Sequence, residues 1–202
     1  MLAFSGGLQD AYTYNVRGKV FANAQTGNVV LLSQNLMSGE FVQGLYYIFP
    51  LLAFALGVFA AERVEHRHNG KHLLHWQQII LLAEILALAS VGFLPHRWDM
   101  AANALVSFSC AMQVQAFRKV HGYDYASTMC IGNLRSSTES FSQYLRSHDR
   151  DSLQKALYLF GIILIFAIGA GLGGVLSGVF GIRTIWFSVV ILLAVAAMLK
   201  DA

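Results

Sequence analysis

Between Ala156 and Ile182 the chain runs 27 residues without one charged side chain. About 20 apolar residues are enough for a helix to cross a bilayer, so this run constrains the fold more than any other feature. It is not alone. Phe41–Ala61 and Met100–Phe117 are also charge-free, Trp76–Pro95 carries only Glu84, and Thr184–Leu199 closes the apolar part of the chain. The balance of the whole agrees. Charged residues make up 12% of the 202, against the roughly 25% usual for soluble proteins, and 56% are hydrophobic. Too little polar surface is available to cover a soluble domain of this size. An integral membrane protein is expected, with no secreted disulfide framework from Cys110 and Cys130, no cleaved signal peptide and no nucleic-acid partner at a net charge of +3.

With the short first segment Met1–Val16, the conservative count is six spans. Tyr46, Tyr47, Trp76, Trp98, Tyr158 and Trp186 lie near span ends, where interfacial aromatics belong. Two segments fit neither loop nor span. Val20–Gly39 is uncharged but rich in Asn, Gln, Ser and Thr, and Ala126–Tyr144 contains Arg135 and Glu139. Either they are full spans facing a protein interior or they are re-entrant. Six crossings put nine Lys and Arg on one side (Arg63, Arg67, Lys71, Arg118, Lys119, Arg146, Arg150, Lys155, Lys200) and four on the other (Arg17, Lys19, Arg97, Arg183). Eight crossings divide them eight to five. The bias toward basic cytoplasmic loops therefore favours six, with both termini cytoplasmic.

The two awkward segments resemble each other. Thr26-Gly27-Asn28 matches Ile131-Gly132-Asn133 at an offset of 105, and that offset also pairs Ala11 with Ala116 and Tyr12 with Phe117. At an offset of 112, Leu45, Tyr46, Leu52, Phe54, Ala55 and Gly57 meet Leu157, Tyr158, Leu164, Phe166, Ala167 and Gly169. The chain reads as a single membrane domain, 1–202, of two repeats, about 1–95 and 98–200. The fold class expected is all-α and polytopic, with about six transmembrane helices and two polar, re-entrant or broken helical segments. The repeats are inverted if the crossings are six, and inverted repeats place a transporter site between the halves.

A helix that begins at mid-depth points unsatisfied N–H groups at whatever lies there. Gln25, Thr26, Gly27, Asn28, Gly132 and Asn133 are therefore the candidate substrate-binding residues, with Thr26 or Asn28 as helix cap; the competing reading is tight packing through Gly and Asn. Ionisable groups at membrane depth are costly and mark function or assembly. Asp10 and Glu84 are the candidates for coupling or gating. Arg135 and Glu139, at i and i+4, are expected to form a structural pair. The run Glu62–His75 holds four histidines, read as a solvated basic loop rather than a metal site. Gly169-x-Gly171-x-x-Gly174 sits inside an apolar run without a preceding strand, so it reads as helix packing. No nucleophile, metal or dinucleotide constellation is found, so neither enzyme nor cofactor is expected.

The stretches Gly6-Gly7-Leu8-Gln9-Asp10-Ala11, Val20-Phe21-Ala22-Asn23-Ala24-Gln25-Thr26-Gly27-Asn28 and Gly132-Asn133-Leu134-Arg135 resemble the YoaK-type family of bacterial membrane proteins, built from one domain of unknown function. The resemblance covers essentially the whole chain and implies a polytopic inner-membrane protein with six helices. It brings no substrate. It also implies residues before the Gly-Gly-Leu-Gln-Asp stretch, which agrees with a first helix that the repeat makes one to two turns short. Where members often carry Gly before the later Gln pair, this chain has Cys110-Ala111-Met112. The function expected is a small-solute transporter or channel-like permease, working as a homodimer in the lipid bilayer. The alternative is a non-transporting assembly factor, sensor or lipid-interacting scaffold.

Overall fold

The computed structural model describes residues 1–68, 75–120 and 122–200. The described chain is almost entirely helical: α1 (Leu2–Val16), α2 (Gln25–Met37), α3 (Phe41–His68), α4 (Trp76–Val91), α5 (Asp99–Ala116), α6 (Cys130–Ser147), α7 (Arg150–Phe180) and α8 (Ile185–Lys200). Among the described residues, one short antiparallel pair, β1 (Lys119–Val120) with β2 (Tyr123–Asp124), lies between α5 and α6. Lys71 and His72 of the basic loop lie outside the described residues.

Helix boundaries depart from the apolar runs where local chemistry overrides hydropathy. Helix α3 continues seven residues past Ala61, and its last turn carries His66, Arg67 and His68, which suit the negative end of the helix dipole. Helix α7 starts at Arg150, six residues ahead of the apolar run, because the Asp149 carboxylate caps it by accepting from the Asp151 and Ser152 N–H groups. Helix α4 stops at Val91, ahead of Pro95.

Contacts fix the direction of each helix. At one end, the Arg17 guanidinium donates to the Val91 carbonyl at 2.9 Å and to Asp99 at 2.7 Å, while the Tyr12 hydroxyl donates to the Ile182 carbonyl. At the other end, Gln77 donates to the Ala116 carbonyl and Gln78 to the Leu199 carbonyl, and Ala61, Trp76, Met112 and Ala116 cluster. So α1, α4 and α7 run from the Trp76 end to the Arg17 end, and α3, α5 and α8 run back. Helices α2 and α6 are different. The segment after α1 folds back along it until Asn23 meets Gly6 and Asp10, and α2 then returns to the Arg17 end, where it turns into α3 through Gly39 at φ +79°. Helix α6 does the converse. Thr128 packs against Gly6, and α6 runs back toward the Trp76 end, turning into α7 at His148 in the left-handed conformation.

Packing partners come in matched pairs. Helix α1 packs along α7 as α5 packs along α3; α6 lies on α7 as α2 lies on α3; α1 touches α8 as α5 touches α4. Small residues permit the closest crossings. A Cβ on Gly7 would fall on the Phe166 carbonyl oxygen, one on Gly169 on that of Phe4, and one on Gly57 on that of Phe108. The main core, including Tyr12, Leu81, Leu88, Val106, Ile185 and Leu192, lies between α1, α4, α5 and α8. Large apolar side chains remain bare on the outer faces of α3 and α7, with Leu56 60% and Val175 67% exposed. Among the described residues, two stretches, α3 and the α7–α8 segment Arg150–Leu199, are long and apolar enough to cross a membrane; α4 is apolar but has 16 residues.

Candidate functional site

The return of the chain after α1 is held by side chains on both strands of the fold-back. Tyr14 and Phe21 stack at 4.8 Å, the Asn23 amide N–H donates to Asp10 Oδ1 at 2.7 Å, and Asn23 Nδ2 donates to the Gly6 carbonyl. Helix α2 then starts after Ala24 and α6 after Met129, neither with a side-chain cap. The expected capping by Thr26 or Asn28 is thus not made.

The two asparagines do the same thing in both places. Asn28 Nδ2 donates to the Phe21 carbonyl at 2.7 Å, and Asn28 Oδ1 accepts from the Phe21 N–H at 3.2 Å. Asn133 Nδ2 donates to the Ala126 carbonyl at 2.7 Å, and Asn133 Oδ1 accepts from the Ala126 N–H at 3.2 Å. Each side chain completes, seven residues back, the hydrogen bonds of an otherwise unpaired residue in the loop entering its helix. Asn28 also donates to Gln25 Oε1. Their polar atoms are therefore spent on shaping the loops, and Asn28 is wholly buried.

Between the two helix starts lies a cavity of about 1130 Å³, at the upper end of the range of small-molecule sites. Of the residues singled out in the sequence, Asp10, Gln25, Thr26, Gly132 and Asn133 line it, while Gly27, Asn28 and Glu84 do not. A Cβ on Gly132 would meet open space, whereas one on Gly27 would touch the Phe21 ring. Helices α3 and α7 supply Phe54 and Phe166 to the wall. Among the described residues, no Lys, Arg or His lines it.

Glu84 is wholly buried on α4 away from the cavity, and neither of its oxygens has a hydrogen-bond partner of normal geometry. Its polar neighbour is Gln9, which accepts from the Cys110 thiol at 2.7 Å and donates to Ser5. Gln9 adjoins Asp10 in sequence. The expected pair of Arg135 and Glu139 is not formed. Both are exposed on α6, and the ion pairs among the described residues are Arg17–Asp99, His96–Asp99 and Arg118–Glu65.

Three residues of the region were not singled out from sequence. Asn23 and Thr128 line the cavity, are 5% and 6% exposed, and leave Asn23 Oδ1 and Thr128 Oγ1 without a partner. They stand 105 positions apart, so the offset that aligned the Gly-Asn pairs already contained them. Arg17, with 1% exposure, has no such signal, because its partners Val91 and Asp99 are distant in sequence.

No curated protein and no solved structure matches the chain. A family model does match, over residues 1–198, and the chain therefore belongs to the family described as Protein of unknown function (DUF1275).

Proposed function

We propose that the chain is a small-solute transporter or channel-like permease with six membrane crossings, formed by α1, α3, α4, α5, α7 and α8. In this reading the repeats, about 1–95 and 98–200, are inverted, and α2 and α6 are re-entrant half-helices that enter from opposite faces. One observation carries it. Two helix starts, each shaped by an asparagine closing the same seven-residue loop, face one cavity at mid-height. Paired broken elements meeting at the bilayer centre are the plan of many secondary transporters. Arg63, Arg118, Lys119, Arg146 and Arg150 lie toward the Trp76 end, which makes that end cytoplasmic in the inner membrane of a bacterium. Both termini lie there too. Asp10 is the coupling or gating group at the cavity, and Glu84 is a second one behind it, through Gln9 and Cys110. Six crossings are few for a complete transporter, so a homodimer is the assembly we propose.

The spending of Asn28 and Asn133 on loop geometry favours a second reading, a scaffold or assembly factor with no moving solute. Cysteine accessibility separates the two. In oriented vesicles of a Cys110→Ser, Cys130→Ser chain, Thr26→Cys is exposed to a small impermeant thiol reagent from each face in turn. A permease gives labelling at Thr26→Cys, blocked by a reagent bound at the cavity. A scaffold leaves it unreactive from both faces, with Gly39→Cys labelled from the periplasmic face as the control.

A further inference from the structure

We infer that the cavity between α2 and α6 selects a small cation rich in N–H donors, of the ammonium or guanidinium class. This rests on the cavity being the solute site proposed above, and it names what that site takes. Two observations bear on the charge. Among the described residues the wall contains two carboxyl groups, Asp10 and Asp124, and no basic side chain. Asp10 belongs to none of the ion pairs of the described residues, and its hydrogen bonds come from neutral donors, the Asn23 and Ala22 N–H groups and the Asn23 side chain. The described wall thus offers a carboxylate without a counter-charge, and at membrane depth such a group normally has a partner or a water-filled cavity.

Hydrogen bonding points to Asp10 rather than to the other polar groups. Asn23 Oδ1 and Thr128 Oγ1 have no partner in the protein, but both are sealed beneath the wall and open onto no solvent, so a solute does not reach them. A guanidinium or ammonium head brings N–H donors and a positive charge to Asp10, and Phe21, Phe54 and Phe166 are aromatic members of the same wall.

The two uncapped helix starts oppose this choice and do not outweigh it. Each carries about half a positive charge, so together they amount to roughly one unit. Two carboxyl groups, Asp10 and Asp124, stand in the same wall. In α2, moreover, the Gly27 and Asn28 N–H groups already bond to the Ala24 carbonyl. An anion would place like charge beside Asp10, and a neutral solute would leave that carboxylate without a counter-ion.

Cys130 lines the same cavity and Cys110 does not, which gives a native reporter. In vesicles carrying the full chain with Cys110→Ser, the rate of Cys130 alkylation by N-ethylmaleimide is measured with guanidinium, its neutral isostere urea, tetramethylammonium or acetate. Guanidinium is expected to slow labelling about tenfold at ten times its dissociation constant. Urea and acetate should leave the rate unchanged, and tetramethylammonium, a cation without donors, should protect weakly. Asp10→Asn should abolish protection, and Asp124→Asn, at an exposed position of the same wall, should weaken it severalfold even if Asp10→Asn fails to fold. Equal protection by urea or acetate overturns the cation assignment and leaves the site standing. Free labelling that no probe slows overturns it as well. An unreactive Cys130 closes the cavity to solute, and the transport reading falls with it.

Discussion

The asparagine loops allow the sharpest test, because the same geometry occurs twice and the two copies differ by one bond. Asn133→Ala removes two hydrogen bonds, to the Ala126 N–H and carbonyl; Asn28→Ala removes the matching pair with Phe21 and a third to Gln25. At a net value of about 1 kcal/mol for each neutral bond, Asn133→Ala should cost about 2 kcal/mol and Asn28→Ala about 3. For a chain of this length that corresponds to melting points lower by roughly 4–8 °C and 6–12 °C. The aspartate variants separate hydrogen bonding from shape. Asn133→Asp is isosteric but sets a carboxylate oxygen 2.7 Å from the Ala126 carbonyl oxygen, where an N–H had donated. It should therefore destabilise more than alanine does. Thermal unfolding of the purified chain in mild detergent, followed by tryptophan fluorescence, reads all four variants. If Asn133→Ala melts with the parent protein, or if Asn133→Asp is tolerated better than Asn133→Ala, the loop-closing role is wrong and the side chain is free for a ligand after all.

Other substitutions divide along equally physical lines. Gly7→Ala places a methyl on the Phe166 carbonyl oxygen and 2.8 Å from the Ala170 nitrogen, both backbone atoms that cannot turn aside, so the loss should reach about 3 kcal/mol by unfolding in detergent. Gly132→Ala meets nothing within 4 Å and lies near a helix start, so its melting point should hold or rise slightly while cavity labelling slows. Asp99→Asn leaves the Arg17 guanidinium buried without its carboxylate; as Asp99 is itself 21% exposed, a loss of about 2–3 kcal/mol, rather than more, is expected in the same assay. Acid should fray α7 selectively. Hydrogen bonds from Ser152 and Asp151 hold the Asp149 carboxyl below its usual pKa of 3.8, so the cap is intact above that value and is lost as pH falls through the lowered one. Amide exchange at Asp151 and Ser152, followed from pH 5 downward, should rise beyond the intrinsic pH effect only once the pH has fallen well below 3.8.

Hydropathy located α1, α3, α4, α5, α7 and α8, because burial in lipid or protein demands apolar side chains whatever the tertiary contacts, whereas the polar α2 and α6 stood out only as segments that fitted neither loop nor span. It placed the ends less well. Helix α3 runs on through Glu62 to His68 because helical hydrogen bonding continues into water when the terminal charges suit the dipole. The Gly-Asn pairs stood out through repetition, yet their role did not, since the partner of each asparagine is a backbone residue in a loop without periodicity. Thr26, Gly132 and Asp10 do reach the cavity wall. Glu84 and Asn28 do not, because sequence reveals that a polar group lies in an uncharged or apolar stretch and not which way its helix turns it. Arg135 and Glu139 had the right spacing for a pair and remain apart on an exposed face, where such a contact stabilises by a few tenths of a kcal/mol at most.

The matched packing also makes its own exceptions informative. Both loops lean on one helix: Asn23 bonds to the Gly6 carbonyl, and Thr128 packs on the Gly6 backbone. The counterpart of Gly6-Gly7 at offset 105 is Ala111-Met112 on α5, which carries no loop of this kind and instead packs Ala111 against Gly57. The counterpart of Asp10 is Gln115. Shape is thus duplicated, in the helix starts and their asparagines, while charge is not. A protein that needed Asp10 only to anchor the returning backbone would do as well with a neutral acceptor, which avoids the cost of a carboxylate at membrane depth. The acids of the cavity wall are Asp10 on α1 and Asp124 on β2, and their counterparts at offset 105 are Gln115 and Lys19, so neither carboxyl group is repeated. Asp10→Gln should therefore preserve the fold, judged by the melting point, while removing the charge selectivity of the cavity; loss of both together would make Asp10 a structural anchor.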